Sequence, residues 1–363
     1  MTWRFLVLIA LVSTVFLGKE TSVRAETVDR YGSLEKISPK LAQSLSAKDY
    51  FNRGLAKHVL GDNEGAIADY NEAIRINLNL ADAYGNRGKA KSIIIELINP
   101  NAAIYYNRGL AKFDLGDKQG AIADFNEAIR LNPNFAEAYL SRGYVKYELG
   151  DKKGAIADYN EAIRINPNFA IAYYNRGVVK SDLGDKKGAI ADYNEAIRIN
   201  PDFAEAYTKR GITKYVSGEK QEAITDFNEA IRINPNFAEA YYNRGVVKSD
   251  LGDKKGAIAD YNEAIRINPD FTEAYTNRGV AKSDLGDKKG AIADYNETIR
   301  INPNFAIAYY NIACAYSLQN NLELALLNLQ KAIQLSPELR QQAKTDKDFD
   351  NIRREARFQD LLR

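Results

Sequence analysis

The chain has 363 residues, 45% of them hydrophobic and 27% charged, an ordinary balance for a protein that folds around an apolar core. Lys and Arg number 50 against 48 Asp and Glu, so no charge excess points to nucleic acid or an anionic membrane. With one His (His58) and one Cys (Cys314), neither a His/Cys metal cluster, nor a His-based triad, nor an internal disulfide can be assembled, and no cofactor is expected.

The N-terminus differs in kind from the rest. Arg4 is followed by FLVLIALVSTVFLG, an uncharged run of 14 residues from Phe5 to Gly18, and then by small residues Val23 and Ala25 ahead of a polar chain. These are the parts of a secretory signal cleaved after Ala25. A membrane anchor is the alternative, but the run falls short of the roughly 20 residues that span a bilayer. Residues 1–25 are therefore expected to be removed, leaving no stable membrane span. The mature chain is expected in the periplasm, the extracellular space or, in a photosynthetic bacterium, the thylakoid lumen. Residues 26–46 read as a linker with a weak helix.

From there the chain repeats itself. YYNRGVVKSDLGDKKGAIADYNEAIRINPDF runs from Tyr173 to Phe203 and again, unchanged, from Tyr241 to Phe271. The spacing of 68 is twice 34, and Pro133, Pro167, Pro201, Pro235, Pro269, Pro303 and Pro337 follow one another at 34 residues. Full-length copies begin at Ala47, Ala102, Ala136, Ala170, Ala204, Ala238, Thr272 and Ala306: one repeat over 47–80 and seven over 102–339. A fixed period of this length marks stacked supersecondary units.

Within Ala170–Phe203, Asn168 and the residue three on (Glu in most copies) are expected to form a capping box ahead of a first helix reaching Leu183. Gly184 can end it in the left-handed conformation, and Asp185 can cap a second helix. That helix carries Ala189, Ile190, Tyr193, Ala196 and Ile197 on one face, and Asn200-Pro201 stops it. Gly177, Ala189 and Ala196 are small enough to let two axes approach, and Tyr173 and Tyr193 are large enough to fill the space around that contact.

Aromatic Tyr173, Gly177, Ala189, Tyr193, Ala196 and Pro201 resemble the tetratricopeptide pattern, and the resemblance recurs in all eight copies. It implies an all-α fold, a right-handed α-solenoid of stacked helix-turn-helix repeats, binding peptides or protein segments in a concave groove. It implies no chemistry, and the chain is not expected to be an enzyme. One departure is informative. Arg176 and Lys180 stand where the family often has Leu and Tyr, with Asp192 at matching depth. In the last copy all three change together, to Ile312, Tyr316 and Asn328. Arg and Asp are thus expected to pair across the hairpin with Lys nearby; a cationic strip for an anion is the alternative.

Residues 81–101 read as a truncated copy, keeping a start (ADAYGNRGKAKS) and an end (IIIELINP) and expected to form one continuous helix with Ile93, Ile94 and Ile95 on it. Residues 340–363 carry Phe349, Ile352, Phe358, Leu361 and Leu362 at helix-like spacing and are expected to cap the exposed face of the last repeat.

In the family the first helices line the inner wall. The resemblance therefore implies a partner-binding groove at Tyr106, Asn107, Tyr174, Asn175, Val178, Asp182, Tyr242, Asn243, Val246, Asp250, Asn277, Tyr310 and Asn311. An amide can bond an extended backbone of any sequence, and Tyr adds flat apolar area at low entropic cost. Acidic residues along the wall favour a basic peptide or protein segment. His58 and Cys314 lie on this wall, each alone and unsuited to catalysis. An interaction scaffold outside the cytoplasm is the leading reading, with a self-associating structural role as the second.

Overall fold

The computed structural model describes residues 45–85 and 90–363, with side chains described except over 78–100. The expected signal, most of the linker and residues 86–89 of the truncated copy therefore lie outside the described residues. Every described element is helical. The chain divides into two compact bodies, with the boundary between Gly184 and Asp185. The first holds α1 (Ala47–Val59), α2 (Asn63–Gly85), α3 (Ala90–Asp114), α4 (Lys118–Leu131), α5 (Ala136–Glu148), α6 (Lys152–Ile165) and α7 (Ala170–Asp182). The second holds α8 (Lys186–Ile199), α9 (Ala204–Val216), α10 (Lys220–Ile233), α11 (Ala238–Asp250), α12 (Lys254–Ile267), α13 (Thr272–Asp284), α14 (Lys288–Ile301), α15 (Ala306–Leu318), α16 (Leu322–Leu335), α17 (Leu339–Thr345) and α18 (Ala356–Leu362).

Within each body the helices form antiparallel hairpins stacked in series, as in an α-solenoid. Where the partner helices lie in the same body, a first helix packs on its own second helix and on the second helix of the hairpin before it. The hairpin turn closes as the sequence predicts. Seven glycines, from Gly61 to Gly286, take positive φ between 84° and 90°, and Asn320 takes their place in the last repeat at φ 59°. The caps of the second helices also match, since Asp151 and Asp253 accept the N–H three residues on, at Gly154 and Gly256.

The capping box of the first helices is not formed in the regular repeats. Their N-cap residue is Phe (Phe135, Phe237, Phe271), with no side-chain cap hydrogen bond. The Asn before Pro instead folds onto the turn, Asn166 Oδ1 accepting Asn168 N–H at 3.1 Å. A capping box does occur at α1, where Ser46 and Asp49 bond reciprocally. The seams are filled by small residues against rings: Tyr159 and Tyr261 are buried, and a Cβ added at Gly143 or Gly245 would fall 2.8 or 2.7 Å from their ring carbons.

Around the truncated copy, Leu78 replaces the proline of Ile-Asn-Pro. Nothing stops the second helix there, and α2 runs on to Gly85. At the other side α3 runs unbroken from Ala90 into the first helix of the next repeat. The copy's ends are thus absorbed into its neighbours, and the continuous helix expected across it passes through residues 86–89, outside the described residues. At the C-terminus, Phe349, Ile352, Phe358 and Leu362 are buried in one cluster with Tyr310, Leu326, Leu329 and Ile333 of α15 and α16.

Candidate functional site

The polar machinery of the repeat centres on one arginine of each first helix. Arg244 grips Asp260 through two bonds, Nε to Oδ2 at 3.0 Å and Nη2 to Oδ1 at 2.6 Å, and Lys248 reaches the same carboxylate at 2.9 Å. The same trio recurs at Arg53–Asp69, Arg108–Asp124, Arg142–Asp158, Arg210–Asp226 and Arg278–Asp294. The expected pairing is therefore present wherever the full trio lies within one body. Those aspartates are only 3–5% exposed at the side chain, so each buried charge is met by two cations.

Two further contacts were not legible in the sequence. The Arg244 guanidinium lies 5.5 Å over the Tyr241 ring, and its remaining Nη1 donates to Asn228 Oδ1 of the preceding hairpin at 2.7 Å. Arg142–Asn126 and Arg278–Asn262 repeat that bond. One arginine therefore closes its own hairpin and ties it to the one before. In the last repeat Ile312 is buried instead, and Asn328 bonds its own helix at Leu324 O.

The expected groove residues divide by environment. Tyr106 and Tyr310 are buried, 8% and 3% exposed, so they do not form an open wall. They belong to a ladder between neighbouring first helices: Tyr106 Oη pairs with Ser141 Oγ at 3.3 Å, and Asn277 Nδ2 donates to Tyr242 Oη at 3.0 Å. Tyr310 Oη donates to Asp346 of the C-terminal segment at 2.7 Å. Burial pushes the Tyr106 phenol up to about 12, so it stays neutral. Asn175 is also buried, and its Nδ2 has no hydrogen-bond partner among the described residues. Leu140 stands in the tyrosine's place one repeat earlier and has no hydroxyl to offer.

Tyr174, Val178, Val246, Asn107, Asn243 and Asn311 are half-buried, and Asp182 and Asp250 exposed. Asn107 and Asn243 donate Nδ2 to the carbonyl four residues back, at Ala103 and Glu239, each at 2.7 Å. The acidic side chains are partly committed: Asp182 accepts from Tyr147, and Asp250 from Tyr215 and, at 3.4 Å, Lys220. These bonds hold the Asp250 carboxyl below its usual range. Neither lone side chain of the sequence reading is alone. His58 Nε2 lies 2.9 Å from Asp114 Oδ2. Cys314 lies with Asp346 and Asp348, their ligand atoms within 4.8 Å of one another, and burial pushes its thiol far up.

Tetratricopeptide patterns match residues 54–91, 109–150, 143–184 and 213–252, and again 170–203, 238–271, 272–305 and 294–327. The chain belongs to the tetratricopeptide repeat family. No curated protein matches it. Among solved structures it is similar to a tetratricopeptide repeat protein from Parabacteroides merdae, with 20% identity and TM-score 0.53 over 73% of this chain and 97% of that one. It is also similar to pilF of Pseudomonas aeruginosa, at 17% identity and TM-score 0.52 over 59% and 94%. YrrB, described as a TPR protein with an unusual peptide-binding site, shares 28% identity over 50% of this chain and 93% of its own, with TM-score 0.43. A tetratricopeptide array is a scaffold for protein–protein interaction, and no described helix is long and apolar enough to cross a membrane.

Proposed function

We propose that this protein is an exported, non-enzymatic scaffold that holds an extended protein or peptide segment along its first helices. One observation carries the reading. The repeat commits its Arg, Lys and Asp to holding hairpins together, while Asn107 and Asn243 have the amide nitrogen anchored on the helix and the oxygen without a partner among the described residues. An anchored amide is a pre-oriented acceptor, and on the first helices of either body it suits an N–H group of an extended chain. Val246, one turn on from Asn243, and Val178 at the same place in the fourth repeat add apolar contact. Tyr106, Tyr310 and Asn175 act in this reading as support for the helices, and Tyr242 and Asn277 as a rung between them. Glu273 and the partly paired Asp182 and Asp250 favour a basic segment, with binding that weakens in salt.

The test begins with a stoichiometric partner captured from the exported fraction of the producing cell and mapped to a peptide. Replacing Asn107, Asn243 and Asn311 by Ala, singly and together, is expected to weaken that peptide progressively, by about 1 kcal/mol per site. Melting temperatures should barely move. Undiminished binding by the triple variant would remove these helices from the site. Intact-mass measurement of the native protein tests export, with the mature chain expected to begin at Glu26.

A further inference from the structure

Nine of the twelve large apolar residues exposed among the described residues sit at one place in the repeat, the turn joining first helix to second. In the first body these include Leu60, Leu115, Leu149 and Leu183, each 44–64% exposed. In the second they include Leu251 and Leu285, at 51% and 48%. Within each body the hairpin turns of the stack lie along one edge, so that body's exposed apolar side chains form a row there. The opposite edge carries the Asn-Pro turns and has no such row.

Copying of the repeat does not account for the row, because it survives where copies diverge. The regular turn reads acid-Leu-Gly, as in Asp250-Leu251-Gly252. In the fifth repeat the leucine has become Ser217, and the acidic residue before it has become Val216, 58% exposed. In the last repeat the leucine has become Gln319, and Leu318 precedes it, 37% exposed. Loss of the apolar side chain at one position coincides with its gain at the next. A solvated turn has no use for that exchange. A row of exposed apolar side chains rimmed by charge is the mark of an interaction surface.

We propose that this edge is a self-association surface on which a second copy of the chain docks edge to edge. Its charges select that occupant. Each regular turn carries acidic residues and lysines within a few positions of the leucine, as in Asp250-Leu251-Gly252-Asp253-Lys254-Lys255. Lys254 is engaged with Asp284 at 2.8 Å, whereas Lys255 is exposed, as is Asp253 beside it. An edge holding both signs at every regular turn is its own complement in an antiparallel, two-fold contact, leucine meeting leucine and lysine meeting aspartate. An anionic membrane would be repelled by half of those groups. A formal net charge of +2 adds little repulsion between copies.

Sedimentation velocity of the full chain over a roughly hundredfold range of concentration tests this. The mass is expected to rise from one copy toward two. Leu149→Asp with Leu183→Asp, and Leu251→Asp with Leu285→Asp, should each weaken association at least about tenfold, while melting curves show them folded. Leu327→Asp, an exposed leucine on α16 away from the edge, should leave association as in the parent. So should Asp250→Val with Leu251→Ser, which copies the fifth repeat and keeps the edge apolar. A parent that stays monomeric overturns the proposal, as do edge variants that associate normally or a Val-Ser swap that dissociates. A monomeric parent that floats with phosphatidylglycerol vesicles would give the edge to a membrane instead.

Discussion

Asp260 is an expensive residue to bury, and its environment shows how the cost is offset. Its carboxylate takes two bonds from Arg244 and one from Lys248, and Arg244 spends its third nitrogen on Asn228. Asp260→Asn would leave the guanidinium half-buried and short of its charge partner, at an expected cost of about 1–3 kcal/mol in thermal or denaturant melts. Arg244→Ile, Lys248→Tyr and Asp260→Asn together reproduce the last repeat's solution and should recover much of that loss. A triple variant no more stable than the single one would show that the trio is not a unit. Gly279→Ala offers a second check, because a Cβ there would meet the Tyr295 ring at 2.5 Å. A loss of about 1–3 kcal/mol is expected, and unchanged stability would mean the ring moves freely. At this scale the sequence revealed what varies. The Arg–Lys–Asp trio was readable because one copy changes all three at once. The asparagine that takes the arginine's third bond was hidden because Asn296 persists even where the following Arg has become Ile312. Tyr106 and Tyr310 were misread as open wall because helical spacing names a face, not the neighbour that covers it.

At the scale of elements, helix ends were legible where backbone geometry dictates them. A glycine at positive φ closes each hairpin but the last, ahead of an aspartate everywhere except Gly218-Glu219, and Asn320 substitutes because asparagine tolerates positive φ best after glycine. The starts of first helices were less legible, since Phe at the N-cap offers no hydrogen bond and the helix is held by packing instead. The C-terminal segment adds a titratable contact. Burial, followed by the neighbouring Asp346, raises the Asp348 carboxyl above its usual range. A raised carboxyl means that the folded chain holds this proton more tightly than the unfolded chain does. Its stabilising contribution is therefore complete below the unfolded value of about 3.9 and is lost as pH rises through the higher folded value. Asp348→Asn should accordingly raise the melting temperature at neutral pH and leave it unchanged at the acid end. A variant equally stabilised or destabilised at every pH would remove Asp348 as the titrating group.

For the whole molecule, each hairpin packs mainly on its sequence neighbours, so stability is a sum of local hairpins and the seams between them. The two identical stretches make this testable without creating a new seam. Residues Tyr173–Phe203 and Tyr241–Phe271 carry the same letters, and the second leads directly into Thr272. Deleting 204–271 joins Phe203 to Thr272, and α8, whose sequence is that of α12, then meets α13 as α12 does now. Every remaining first helix keeps the neighbours its residues are matched to. The shortened chain should fold, with helical content per residue unchanged in far-UV circular dichroism and a cooperative melt at slightly lower temperature. Deleting 187–220 instead joins Lys186 to Gln221, and a turn from one hairpin then leads into the second helix of the next. Its seam pairs Arg176 with Asp226 across copies of the same repeat, so this chain too should fold, with a loss set by the junction. Deleting 187–203, which removes a second helix alone, leaves two first helices in succession with no second helix between them; it should lose its cooperative melt. If the 204–271 deletion unfolds while the chain missing only a second helix survives, stability resides in long-range contacts that a stack of neighbours does not contain.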